Sequence, residues 1–159
     1  MSKYIIVDSR EKPKAIQSIL DTFDEAGIKH ETSKLFVGDY MDWNRPQIVI
    51  DRKQNVLELA KNVTTDFTRF RAELERAKDV GTHLVILVEQ NRYKDRDRWI
   101  HINDISDLML WSNPHTVIRG ERVFRALSSL IAKYNISVKF CDKRSTGREI
   151  IRILYGDIK

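Results

Sequence analysis

Four apolar runs in this chain stop abruptly on an acid: Asp8 after YIIV, Asp39 after LFVG, Asp51 after IVI and Glu89 after LVILV. Runs this short, rich in β-branched residues and bounded by charge, have the length of buried strands rather than of buried helices. Between them the period changes. Ile16, Ile19, Leu20 and Phe23 recur at helical spacing, as do Phe67, Phe70, Leu74 and Ala77. Interleaved strands and helices restrict the chain to the α/β class, with a mixed central sheet flanked by helices on both faces.

The element order follows from the same signals. A first strand is expected over Lys3–Asp8, then a helix with Pro13 near its first turn and Gly27 as its stop. Strand-like segments over Lys34–Trp43 and Gln47–Arg52 join through Asn44-Arg45-Pro46 as a hairpin. Residues 55–79 read as helical, His83–Glu89 as a buried strand, Asn91–Arg98 as a polar loop, and Asp104–Trp111 as a short helix. A longer helix over Gly120–Tyr134, a last strand over Ile136–Cys141 and a final helix opened by a Thr146–Glu149 capping box complete the series.

At 159 residues, with 42% hydrophobic and 32% charged residues, the chain suits one globular domain, 1–159. No apolar run approaches the roughly 20 residues of a membrane helix. The opening MSKYIIVDSREK becomes charged too early for a secretory signal. The single cysteine, Cys141, allows no intrachain disulfide and suits a reducing compartment, so a cytoplasmic location is expected. A net charge of +5 favours an anionic partner, with nucleic acid foremost. No Gly-rich phosphate loop is present, and His30, His83, His101 and His115 show no metal-ligand spacing.

The stretch VIDRKQN carries the sharpest chemistry. Side chains on a strand alternate faces, so Asp51 and Lys53 share one face and Arg52 takes the other. Asp39 and Asp51, on the two arms of one hairpin, can converge on a hard cation such as Mg²⁺, which takes carboxylates plus water and phosphate. Lys53 would then hold or deprotonate an attacking water, or stabilise charge on a phosphoryl transition state. The bland alternative is a solvated Asp–Lys pair, worth about 0–1 kcal/mol. Spacing alone leaves both readings open.

Five elements, VDSREK (Val7–Lys12), VGDY (Val37–Tyr40), VIDRK (Val49–Lys53), RFRAEL (Arg69–Leu74) and LVILVE (Leu84–Glu89), stand in the order seen in the XPF-type nuclease domain, which this chain resembles over essentially its whole length. The resemblance is nearest to small stand-alone bacterial or phage members. It implies a restriction-endonuclease-like fold and Mg²⁺- or Mn²⁺-dependent cleavage of branched, flap or junction DNA, in a setting of DNA repair or recombination. It also implies a homodimer. By position it nominates Asp39, Asp51, Arg52 and Lys53 as catalytic and Asp8, Asp39 and Asp51 as metal ligands, with Arg10, Glu11, Glu58 and Arg69 in support. Asp51 replaces the family's usual glutamate. Leu57 occupies the place of a downstream acid, and Glu58, one residue on, is its candidate substitute. At this length the helix-hairpin-helix module that many relatives append is not expected.

Arg92, Lys94 and Arg96, interleaved with aromatic residues, are candidate DNA contacts or an ordinary exposed loop. Arg69–Glu73 reads as an i, i+4 ion pair on a charged helix face. Two other functions remain beside the structure-specific nuclease: a non-catalytic DNA-binding or scaffolding module on the same fold, and a sequence-specific restriction-type nuclease.

Overall fold

A computed structural model describes residues 2–156. Its main sheet comprises β1 (Tyr4–Asp8), β2 (Lys29–Ser33), β3 (Tyr40–Asp42), β4 (Arg45–Lys53), β5 (His83–Val88) and β8 (Ser137–Phe140), in the order β2-β1-β3-β4-β5-β8. Strands β6 (Arg92–Asp95) and β7 (Arg98–His101) form a separate two-stranded ribbon. The sheet is mixed, as expected: β1 runs parallel to β2, and β4, β5 and β8 run parallel to one another. The short β3 sits antiparallel between the two blocks.

Helices α1 (Gln17–Glu25) and α5 (Thr146–Tyr155) cover one face, while α2 (Val56–Val63), α3 (Phe67–Asp79) and α4 (Gly120–Tyr134) cover the other. Alternation explains why the central strands are continuously apolar. Ile50, Val85 and Leu87 enter the α1/α5 core, and their neighbours Val49, Ile86 and Val88 enter the α2–α4 core. Both cores are dense with aliphatic side chains; cutting the fully buried Ile50 to alanine would cost about 2–5 kcal/mol. Among the described residues no helix is long and apolar enough to cross a membrane.

Several boundaries differ from expectation for physical reasons. Of Lys34–Trp43, only Tyr40–Asp42 is strand, because Gly38 takes φ +72° and turns the chain. A side chain there would place its Cβ 2.3 Å from Val49 Cγ1, so the turn requires glycine. Strand β2, KHETS, has no apolar alternation; it lies at the sheet edge, mostly exposed, and is recruited by parallel pairing with β1. The helical stretch 55–79 breaks after Val63, where the Thr64 hydroxyl bonds back to the Ala60 carbonyl at 2.6 Å. Asp104–Trp111 contracts to a 3-10 turn, Ile105–Leu108, and the polar loop 91–98 becomes half of the ribbon. The capping box at Thr146 does not form, since the Thr146 hydroxyl is drawn away to Glu89.

Candidate active site

The turn at Gly38 delivers Asp39 to β4. The Asp39 N–H donates to the Ile50 carbonyl at 2.7 Å, and the Arg52 N–H donates to the Asp39 carboxylate at 2.8 Å. Asp39 is therefore tied by both its backbone and its side chain beside Asp51. A cleft of about 410 Å³ opens there, lined by Asp8, Arg10, Glu11, Asp39, Asp51, Arg52, Lys53, Glu58, Arg69 and Glu73. The hairpin geometry thus brings Asp39, Asp51 and Lys53 to one cavity.

Glu73, from the middle of α3, also faces this cavity, although sequence reasoning paired it with Arg69. The signal was present in the Arg69–Glu73 spacing of the RFRAEL element. Charge alternation along the helix made a solvated ion pair the simpler reading.

Asp39, Asp51 and Glu73 crowd one another. Burial, then the nearby Asp51 charge, pushes the Asp39 carboxyl up to about 9. Glu73 is pushed up to about 9 by the same two causes. Burial also disfavours charge on Asp51, but the Lys53 ammonium and hydrogen bonds from Glu73 and Asp39 outweigh it and hold Asp51 below its ordinary value. Three carboxyls share protons around one anion.

Lys53 Nζ lies 3.1 Å from Asp51 Oδ2, off the line of a hydrogen bond, so that Oδ2 is buried without a hydrogen-bond partner, as is Glu73 Oε1. Burial opposes the Lys53 charge, yet Asp51 and Glu73 raise its pKa, so it remains an ammonium.

The other nominated residues have different occupations. Asp8 is almost fully buried, and both its oxygens are used: Oδ1 accepts from the Leu35 N–H at 2.9 Å and Oδ2 from Arg10 Nε at 2.7 Å. It pins the loop before Gly38 while lining the same cleft. Arg10 also donates to the Leu35 carbonyl at 3.1 Å.

Arg52 turns its guanidinium away from the cavity face of β4. Glu11 accepts from Arg52 Nε at 2.8 Å and from Nη2 at 3.0 Å, while Glu89 accepts from Nη1. Glu89 in turn accepts from the Thr146 hydroxyl at 2.6 Å. Arg52 therefore braces the site from the wall of the cleft. Glu58 lines the cleft while its side chain accepts from the Gln54 N–H at 3.0 Å and its own N–H is capped by Asn55 at 2.8 Å. Arg69 is exposed at the rim, and Arg92, Lys94 and Arg96 lie outside the cleft on the ribbon.

Among the described residues no three His, Cys, Asp or Glu side chains already stand at metal-ligand geometry. The chemistry of the donors nevertheless fits a hard divalent cation: carboxylate oxygens only, with Asp51 Oδ2 and Glu73 Oε1 buried without a hydrogen-bond partner, and with Asp39 and Glu73 held protonated by burial and by the Asp51 charge, which a cation would offset.

The ERCC4 domain matches residues 7–154. This chain belongs to the ERCC4-domain family. Within solved structures, the ERCC4 fold here is similar to XPF from Aeropyrum pernix in complex with DNA, with a TM-score of 0.65 and 20% identity over 93% of this chain and 61% of that one. It is also similar to XPF from Aeropyrum pernix alone, with a TM-score of 0.63 and 17% identity over 94% of this chain and 64% of that one. This ERCC4 chain thus spans under two thirds of each of those chains. The match bears out the restriction-endonuclease-like α/β fold expected of an XPF-type domain. No curated protein matches the sequence.

Proposed function

We propose that this ERCC4-domain chain is a divalent-metal-dependent DNA endonuclease that hydrolyses phosphodiester bonds at branched, flap or junction DNA. The observation that carries this reading is the cluster of Asp39, Asp51 and Glu73, proton-sharing carboxyls beside a permanently charged Lys53 in an open cleft. The family supports it, and so does the similarity to an Aeropyrum pernix XPF structure that is a complex with DNA.

Asp39, Asp51 and Glu73 would hold the metal. Mg²⁺ or Mn²⁺, when bound, would supply Lewis acidity and lower the pKa of a ligated water. Lys53, kept protonated by its acidic neighbours, donates hydrogen bonds: it orients the attacking water and stabilises charge accumulating on the phosphate oxygens. It is not a general base while Asp51 remains ionised beside it. Arg52, Glu11 and Glu89 keep the end of β4 rigid, and Arg10 with Asp8 fixes the loop that presents Asp39. A homodimer belongs to the same proposal. Met109, Leu110 and Val117 are exposed apolar side chains in the second half of the chain, with Val117 97% exposed, and a second copy would cover them.

The deciding experiment is a panel of flap, fork, junction and plain duplex DNA, each with Mg²⁺, with Mn²⁺ and with chelator. Nicking of branched substrates only with metal is the expected result. Binding without cleavage of any substrate would overturn the nuclease reading in favour of a scaffolding module. Site-specific cutting of plain duplex would make it a restriction-type enzyme.

A further inference from the structure

The β6–β7 ribbon has two unlike faces. Its register places Arg92 opposite His101, Lys94 opposite Trp99 and Tyr93 opposite Ile100. Paired residues share a face and successive residues alternate, so Arg92, Lys94, Trp99 and His101 form one side. Tyr93 and Ile100 lie on the other side, which packs into the α2–α4 core; Tyr93 is only 5% exposed. Tyr93 is thereby removed as a stacking residue. The opposite side faces solvent, carries no acid and exposes 57% of Trp99. The Arg92 guanidinium lies 4.4 Å from the centre of the Trp99 ring and the Lys94 ammonium 5.7 Å from it.

The ribbon follows the C-terminal end of β5, beside the end of β4 that bears the cleft. The Glu89 N–H donates to the Lys53 carbonyl at 2.8 Å. The Gln90 side chain then accepts from the Val56 N–H at 2.9 Å and donates to the Arg92 carbonyl at 2.9 Å, fastening the ribbon to the start of α2. The Asn91 carbonyl accepts from the Ile102 N–H at 2.7 Å and closes the base. A large aromatic ring left in water between two cations, on a ribbon anchored beside the cleft, has the composition that stacks bases and neutralises phosphates.

We propose that this face is a platform for unpaired DNA, on which Trp99 stacks against a nucleobase while Arg92 and Lys94 contact the flanking phosphates. The proposal rests on the nuclease reading for its substrate class and adds the element that would tell single-stranded segments from plain duplex.

The test is equilibrium binding of a fluorescent oligo(dT) strand and of a fluorescent duplex, in chelator so that nothing is cut. Trp99→Ala is expected to weaken oligo(dT) binding about ten-fold and duplex binding less than two-fold. Trp99→Phe restores most of the loss. Trp43→Ala, at an exposed tryptophan in the turn between β3 and β4, leaves both affinities unchanged. Lys94→Gln lowers the salt slope for oligo(dT) by about 0.7. Wild-type affinity for oligo(dT) in Trp99→Ala would overturn the proposal, as would equal weakening of both ligands or failure of the wild type to bind oligo(dT). A wild type that binds oligo(dT) through Trp99 yet cuts nothing with Mn²⁺ would leave the platform standing and remove the nuclease reading.

Discussion

Lys53 and Asp51 stand two residues apart on one face of β4, with Nζ 3.1 Å from Oδ2 and the ammonium 5.2 Å from the centre of the Phe70 ring. The ring and the acid together fix a cation at the floor of the cleft. Asp51→Asn is expected to lower cleavage of branched DNA by roughly 10²–10³-fold or more, while binding in chelator persists. Single-turnover cleavage measures the first effect and anisotropy the second. A variant cutting at the wild-type rate would remove Asp51 from the mechanism.

Asp8 and Glu73 should separate cleanly. Asp8→Asn strands the Leu35 N–H or Arg10 and is expected to cost about 1–3 kcal/mol of stability, with Mn²⁺ affinity retained. Glu73→Gln should leave the unfolding midpoint close to wild type and weaken Mn²⁺ binding by at least about ten-fold. Denaturant unfolding and calorimetric titration of Mn²⁺ distinguish the two. The reverse pattern would return the ligand role to Asp8.

The raised carboxyls set a pH signature. Asp39 and Glu73 stay protonated up to about 9 in the fold, against ordinary values of 3.8 and 4.5. Between those limits the folded protein binds more protons than the unfolded chain, so metal-free stability falls as pH rises from about 4 to about 9. Asp51, held below its ordinary 3.8, acts in the opposite sense: its contribution is present above that value and is lost only in stronger acid. Thermal unfolding in chelator across this range should show the decline, and Mn²⁺ should flatten it. Mn²⁺ binding should also release protons, seen as a dependence of the binding enthalpy on buffer. A midpoint independent of pH without metal would refute the shared-proton arrangement.

Thr146 reaches the cleft only through others: its hydroxyl holds Glu89, Glu89 holds Arg52, and the Arg52 N–H holds Asp39. Thr146→Val is expected to weaken Mn²⁺ binding about three-fold or more and Thr146→Ser to restore it. On an Asp39→Asn background the valine should have no further effect on Mn²⁺ binding, because coupled residues are not additive. Equal losses in both backgrounds would show that Thr146 only stabilises the fold.

Much of this architecture is legible in the sequence because burial on both faces leaves an unmistakable apolar run, as in LVILV. Asp39 and Asp51 were recognisable as neighbours because a hairpin places its two arms side by side. The missed features share a different cause. KHETS becomes a strand only because β1 offers it an open edge, and NRYKDRDRW becomes a ribbon only because Tyr93 and Ile100 find a core made by distant helices. Glu73 was missed because direction of approach, invisible in spacing, decides which acids meet the cavity and what else each one holds: Asp8 lines it while also accepting from the Leu35 amide.

Strand β3 is three residues long, yet it is the hydrogen-bonded seam between the β2–β1 pair and the β4–β5–β8 block. Asp39 hangs from one end of that seam, while Asp51 and Lys53 belong to the block across it. Asp39 and Asp51 meet once the β3–β4 hairpin has closed, and Glu73 joins them only when α3 has packed onto the sheet. A half-folded chain in which α3 is not yet docked therefore lacks the complete cluster.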